Sequence, residues 1–136
     1  MKNSGKIAEL KVQMWFLEAG WPVFHPVVDE NQMDIVVQQP KTKKYFGIQV
    51  KHSEPKSKNP GYLDLRKRKS PMGFDFIVFI LPNGSVIILP RRIITKPLTI
   101  LCNKKTGMPT PEFQQYACRE DQFIEKLTEL MAQENV

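Results

Sequence analysis

Met33-Asp34-Ile35-Val36-Val37-Gln38-Gln39 is followed by a polar stretch, Pro40-Lys41-Thr42-Lys43-Lys44, and then by Tyr45-Phe46-Gly47-Ile48-Gln49-Val50-Lys51. Two β-rich runs of similar length on either side of a Pro/Thr/Lys turn predict a hairpin. Antiparallel pairing sets the start of the first run beside the end of the second, so Asp34 comes to lie next to Gln49 and Lys51. Side chains alternate with period two, which sends Gln49 and Lys51 to one face and Val50 toward the core. A carboxylate, an amide oxygen and an ammonium group are then expected at one end of a sheet.

That grouping has a chemistry. Mg²⁺ takes hard oxygen ligands and keeps several waters, so one carboxylate (Asp34), one neutral oxygen (Gln49) and a backbone carbonyl suffice when substrate phosphate supplies the remainder. The neighbouring lysine, Lys51, can hold the attacking water and offset charge on phosphate. Metal-assisted hydrolysis of a phosphodiester is the reaction these groups would serve.

At 136 residues, 41% hydrophobic and 25% charged, the chain has the composition of one soluble globular domain, 1–136. No apolar run approaches the ~20 residues of a membrane span, and Met1-Lys2-Asn3-Ser4-Gly5-Lys6 lacks the apolar stretch of a signal peptide. The expectation is an intracellular (cytoplasmic) protein with no membrane partner. Cys102 and Cys118 stand far apart without paired histidines, so they read as free thiols rather than as a disulfide framework or zinc site.

The net charge of +6 is unevenly spread: from Lys41 to Lys69 ten basic residues stand against two acidic ones, Glu54 and Asp64. A positive surface beside the proposed site suits a polyanion, and nucleic acid is the common one, although lysine-rich loops are also simply well solvated. The candidate contacts are Lys43, Lys44, Ser53, Lys56, Lys58, Tyr62, Arg66, Lys67, Arg68 and Lys69.

Residues 5–19 read as an amphipathic helix. Ile7, Leu10, Met14 and Leu17 recur at +3, +4 and +3, Ser4 can cap the start, and Gly20 followed by Pro22 ends it. This stripe is expected to lie on the sheet. Glu9 falls to its side, about 120° from its centre at 100° per residue, where it can reach the sheet edge near Asp34 or remain a surface carboxylate favoured by the helix N-terminus. Trp21 to Val28 reads as an edge strand interrupted by Pro22 and Pro26. Asp29 and Glu30 belong to the turn that follows. His52 to Gly61 is a polar loop, and Leu63 to Lys69 is either a short basic helix or irregular. Phe74 to Leu81 is the most apolar segment and reads as a buried central strand, with Asp75 marking its start. A Pro82-Asn83-Gly84 turn and a strand at 85–89 follow. Residues 93–101 fit helix or strand equally, 103–111 is loop, and 112–117 and 119–133 read as helix, the latter with Phe123, Leu127 and Leu130 on one stripe.

A helix carrying Glu9, a strand with Asp34 inside Met-Asp-Ile-Val-Val, and Ile48-Gln49-Val50-Lys51 together resemble the PD-(D/E)xK nuclease superfamily. The sequence is similar in particular to resolvase-like (Holliday junction resolvase-like) and small homing-endonuclease-like members with Gln before x-Lys. The resemblance covers roughly residues 5–90. It implies an α/β fold, α+β by strict class: a central mixed sheet of four to five strands flanked by helices, with a restriction-endonuclease-like αβββαβ core and a C-terminal helical extension over 112–133. It further implies Asp34 as main metal ligand, Gln49 and the Val50 carbonyl as further oxygen ligands, Lys51 as the water-positioning group and Glu9 as the supporting acidic residue. Mg²⁺ is the implied cofactor, with Mn²⁺ as a substitute. Gln49 departs from the acidic residue usual at that place, which weakens the charge available to a cation. The proline usual before the strand Asp is also absent, since Gln32 and Met33 stand there.

The leading expectation is a divalent-metal-dependent DNA endonuclease, acting as a homo-oligomer (dimer or tetramer) because two cuts across a duplex need two sites. A non-catalytic nucleic-acid-binding module on the same fold, or a subunit whose sheet face or last helix mediates assembly, are the alternatives.

Overall fold

The computed structural model describes residues 4–27, 33–53, 61–65 and 73–134. In chain order the elements are α1 (Ser4–Glu18), β1 (Val23–Phe24), β2 (Ile35–Gln38), β3 (Tyr45–His52), β4 (Tyr62–Asp64), β5 (Phe76–Ile80), β6 (Val86–Pro90), β7 (Leu98–Ile100), β8 (Ala117–Cys118) and α2 (Phe123–Glu134), with single 3₁₀ turns at Arg91–Ile93 and Glu120–Gln122 and a longer one at Pro111–Tyr116.

The β-branched runs of the opening hairpin pair as their pattern dictates, with Ile35 opposite Ile48 and Val37 opposite Phe46. β3 then pairs in parallel with β5, Ile48 beside Phe76 and Val50 beside Val78, so its far side is also covered. β5 and β6 follow as an antiparallel pair across the Pro82-Asn83-Gly84 turn. The result is a mixed six-stranded sheet in the order β1-β2-β3-β5-β6-β8, with β4 and β7 forming a second, two-stranded sheet. The sixth strand beyond the expected four to five is β8: residues 112–117, expected as helix, form a 3₁₀ turn that ends in a two-residue pairing of Ala117–Cys118 with β6. β5 reads as one apolar run because it lies between two strands and is covered on both faces, so no polar alternation is left.

Two ambiguities resolve in favour of strands. Leu63, where helix or coil was expected, belongs to β4, and residues 98–100 pair with it as β7. Gly61 leads into this pair because a Cβ there would lie 2.3 Å from the Cys102 sulfur and 3.0 Å from the Cys102 backbone nitrogen and oxygen. The turn at Asp29 and Glu30, most of the polar loop, and Arg66 to Lys69 lie outside the described residues.

One expectation about α1 is overturned. Ile7, Leu10, Met14 and Leu17 are 49–59% exposed, and the buried residues are Ala8, Val12, Gln13 and Phe16. The helix is apolar on two sides, so the 3-4-3 spacing found one apolar face but not the one that packs. Ala8 and Val12 are small enough to bring the helix axis close to the sheet, and Phe16 packs against Trp21 (centroids 5.4 Å apart) and edge-on to Phe123 of α2 (5.2 Å). Helix α2 follows expectation, burying Phe123, Leu127, Leu130 and Met131.

Candidate functional site

The site is built from the two ends of the hairpin that pairing brings together. The Asp34 backbone N–H donates to the Ile48 carbonyl at 2.9 Å, which continues the ladder one residue beyond β2. The Asp34 carboxylate then turns along β3, where its Oδ2 accepts the Val50 N–H at 2.7 Å. In a strand, N–H and C=O of one residue point to the same side, so the Val50 carbonyl shares the side on which Asp34 sits. One step past the last register pair, Ile35 opposite Ile48, stands Gln49 on β3, and Lys51 follows two residues later on the same face. Gln49 is buried and Lys51 half-buried. Val50 and His52 take the other face, and there His52 Nε2 lies 3.0 Å from Ser4 Oγ at the start of α1. Ser4 is thus the first residue of the helix, with its hydroxyl turned to His52.

That contact fixes where Glu9 stands. α1 starts over the end of β3 and returns toward β1, so it runs against β3. Five residues of helix advance about 7 Å and a strand rises about 3.3 Å per residue, which puts Glu9 about two residues back from His52, level with Val50. The flank follows from neighbours. Trp15 stacks on Phe123 at 4.9 Å and Lys11 pairs with Glu120, so that side of α1 faces α2, which packs over β6. Glu9 and Gln13 occupy the opposite flank at helical spacing, which in the strand order is the β2 side. Glu9 is paired with Lys6 at 3.7 Å and has a side chain only 20% exposed. Pairing thus brings the Asp34 carboxylate to the Val50 N–H at the edge of β3, with Gln49 and Lys51 on one face of that strand and α1, which carries Glu9, over the other.

Gln13 was not expected there. It is 92% buried, and its Nε2 is a buried donor without a hydrogen-bond partner, one helical turn behind Glu9 on the same flank. Its only signal in the sequence is a single glutamine one turn from Glu9. Ser53, just past β3, also carries a buried hydroxyl without a partner, while its N–H extends the ladder to the Ile80 carbonyl.

The basic residues divide. Lys43 and Lys44 are exposed in the hairpin turn, at the opposite end of β3 from Lys51, and Lys43 adopts a left-handed φ of 65°. Tyr62 lies on β4 in the second sheet and lines a groove with Ile100 and Cys102. Lys56, Lys58, Arg66, Lys67, Arg68 and Lys69 are outside the described residues. Asp75 is a structural group: its Oδ2 accepts the Gly47 N–H at 2.7 Å, and its own N–H donates to the Gly47 carbonyl at 2.8 Å.

Among the described residues, no three His, Cys, Asp or Glu side chains gather to hold an ion. The donor set at the β3 edge is of another kind: carboxylate, amide oxygen and main-chain carbonyl, all hard oxygens. It fits Mg²⁺ that keeps waters and leans on phosphate, and it does not fit zinc.

The fold is shared with a nuclease of known structure. Across 98% of this chain and 97% of the other, the structure superposes on a bacterial homing endonuclease with a TM-score of 0.67 and 22% sequence identity. That protein is I-Ssp6803I. No protein-family model matches the sequence, and no curated protein matches it either. Among the described residues, no helix is long and apolar enough to cross a membrane.

Proposed function

We propose that this chain is a divalent-cation-dependent DNA endonuclease of the PD-(D/E)xK type, with Glu9, Asp34, Gln49 and Lys51 as its working residues. The observation that carries the reading is the Asp34 carboxylate held 2.7 Å from the Val50 N–H, beside Gln49 and Lys51, where β3 runs on without β2. The fold shared with a homing endonuclease supports it. Site-specific or junction-specific cutting, as in homing endonucleases or resolvases, is the substrate class proposed.

Asp34, Gln49 and the Val50 carbonyl would hold Mg²⁺ (or Mn²⁺), with Glu9 orienting its waters. When bound, the cation would neutralise charge on the phosphodiester and make water more acidic. Lys51 places and polarises the attacking water and balances phosphate charge. Asp34 is kept in position by its hydrogen bond to Val50, so little reorganisation is needed when substrate arrives. Two cuts across a duplex need two such sites, hence a homodimer or tetramer.

A second reading, a DNA-binding module without catalysis, has one specific observation in its favour. Asp75 caps a β3 N–H at the same 2.7 Å as Asp34 does, so such a contact also serves structure alone, and Gln49 is neutral. Incubation of supercoiled, linear and branched DNA with Mg²⁺ or Mn²⁺ against EDTA, wild type beside Lys51→Ala, separates the two. Cutting that needs the cation and the lysine supports the nuclease. Salt-sensitive binding without cutting under either ion supports the module.

A further inference from the structure

The outward face of α1 is unexplained by the site. Ile7, Leu10, Met14 and Leu17 stand in one line at 51%, 49%, 57% and 59% exposure, while Ala8, Val12 and Phe16 cover the sheet from the other side of the same helix. A helix that is apolar on both sides is one that something covers on both sides. We infer that this face is a twofold interface at which α1 packs antiparallel on α1 of a second copy of the chain.

Three features select a second copy as the occupant. The spacing +3, +4, +3 is that of the a and d positions which pack helix against helix, and it reads the same in either direction. An antiparallel copy therefore sets Ile7 against Leu17 and Leu10 against Met14, which is the self-complementarity a twofold axis demands. Two of the flanking cations are also paired within each subunit, Lys6 with Glu9 and Lys11 with Glu120, which eases the approach of two like helices in a chain of net charge +6. Among the described residues no other helix leaves such a line open: the stripe of α2 is buried. An apolar face framed by neutralised charge also suits another protein surface better than a phosphate backbone, which seeks free cations.

The area sets the strength. Four half-exposed apolar side chains amount to a patch on the order of 400 Å² per copy, the size of a functional patch on a monomer. Doubled, it is roughly half a standard interface, which predicts a weak dimer in exchange with monomer at micromolar concentration. The inference builds on the assembly proposed above by naming its surface. It also has a geometric consequence: the site flank of α1, with Glu9 and Gln13, lies beside the paired face, so the twofold holds two sites at a fixed separation.

The test is hydrodynamic and does not depend on cleavage. In sedimentation velocity across about 1–300 μM, the full chain is expected to shift from monomer toward dimer. Leu10→Glu/Met14→Glu and Leu10→Lys/Met14→Lys are each expected to stay monomeric, because like charges meet across the axis, with circular dichroism and Tm near wild type. An equimolar mixture of the two is expected to regain the dimer, since Glu then faces Lys. A wild type that is monomeric throughout, a dimer that survives both double variants, or a mixture that does not reassociate overturns the interface. Loss of DNA cutting in a properly dimeric protein would count against the proposed nuclease and leave the interface standing.

Discussion

Asp34 Oδ2 accepts the Val50 N–H at 2.7 Å, so one carboxylate both ends the β2–β3 ladder and presents an anionic oxygen at the edge of β3. The two roles are separable. Asparagine keeps an acceptor for Val50 and loses the charge, so Asp34→Asn should melt within about 2 °C of wild type while cation-dependent cutting falls by at least ~100-fold. Asp34→Ala leaves a partly buried N–H unmet and should cost about 1–3 kcal/mol in addition. Urea melts beside a plasmid-nicking assay check both.

Gln49 is the neutral member of the set. Gln49→Glu would bury a second carboxylate next to Asp34, where burial and like charge both oppose ionisation. Without divalent ions the variant should melt lower than wild type, and Mg²⁺ should raise its Tm by several degrees more than it raises that of wild type, through linkage to binding. Differential scanning fluorimetry over a Mg²⁺ series checks it. An unchanged Mg²⁺ response would remove Gln49 from the proposed ligand set.

Gln13 keeps a buried amide Nε2 with no hydrogen-bond partner among the described residues. Replacing it by leucine, of similar volume, should stabilise the fold by about 1 kcal/mol. If its N–H serves the site, the same change should lower kcat more than tenfold with KM little altered. Single-turnover rates and thermal melts on one preparation distinguish these effects.

Phe16 joins the two helices through Phe123 and closes on Trp21. Phe16→Ala and Phe123→Ala should each cost about 3–5 kcal/mol. The double variant should fall short of the sum by about 0.5–3 kcal/mol, because one contact is lost twice. Chemical denaturation of the four proteins closes the cycle.

Burial pushes the Cys118 thiol from 9.0 up to about 11, with Lys126 pulling it down and Asp121 adding to the rise. The thiolate is the reactive form, so alkylation of the folded protein should be slow at pH 8–9 and climb with a midpoint near 11. The folded state holds the proton more tightly than the unfolded one. This contribution to stability is therefore complete below pH 9 and disappears as pH rises through about 11. Iodoacetamide kinetics with mass-spectrometric assignment, folded against urea-unfolded, measure the shift.

The hairpin and the meeting of Asp34 with the Gln49–Lys51 segment were legible because both rest on period two and on pairing direction, which local residues fix. Strand β5 was legible for a similar reason: a strand covered on both faces shows as an unbroken apolar run. The packed side of α1 was not legible. Ile7, Leu10, Met14 and Leu17 make the better stripe by spacing, and only the small size of Ala8 and Val12 and the Phe16–Phe123 contact, 107 residues apart in the chain, decide which side turns inward. Residues 98–100 could not be assigned for the same reason, since β7 has its partner in β4 and no local turn announces the pair. Gln13 went unnoticed because a single glutamine on the flank of that stripe carries no local pattern that marks it as buried.

The aromatic contact between α1 and α2 also bears on how the protein is made. Trp15 and Phe16 are translated well before Phe123, the ring that shields them, which follows Phe16 by 107 residues. Until then this helix carries two uncovered apolar sides, one awaiting a later part of its own chain and the other a sister molecule. A nascent polypeptide in that state is a natural client for chaperones.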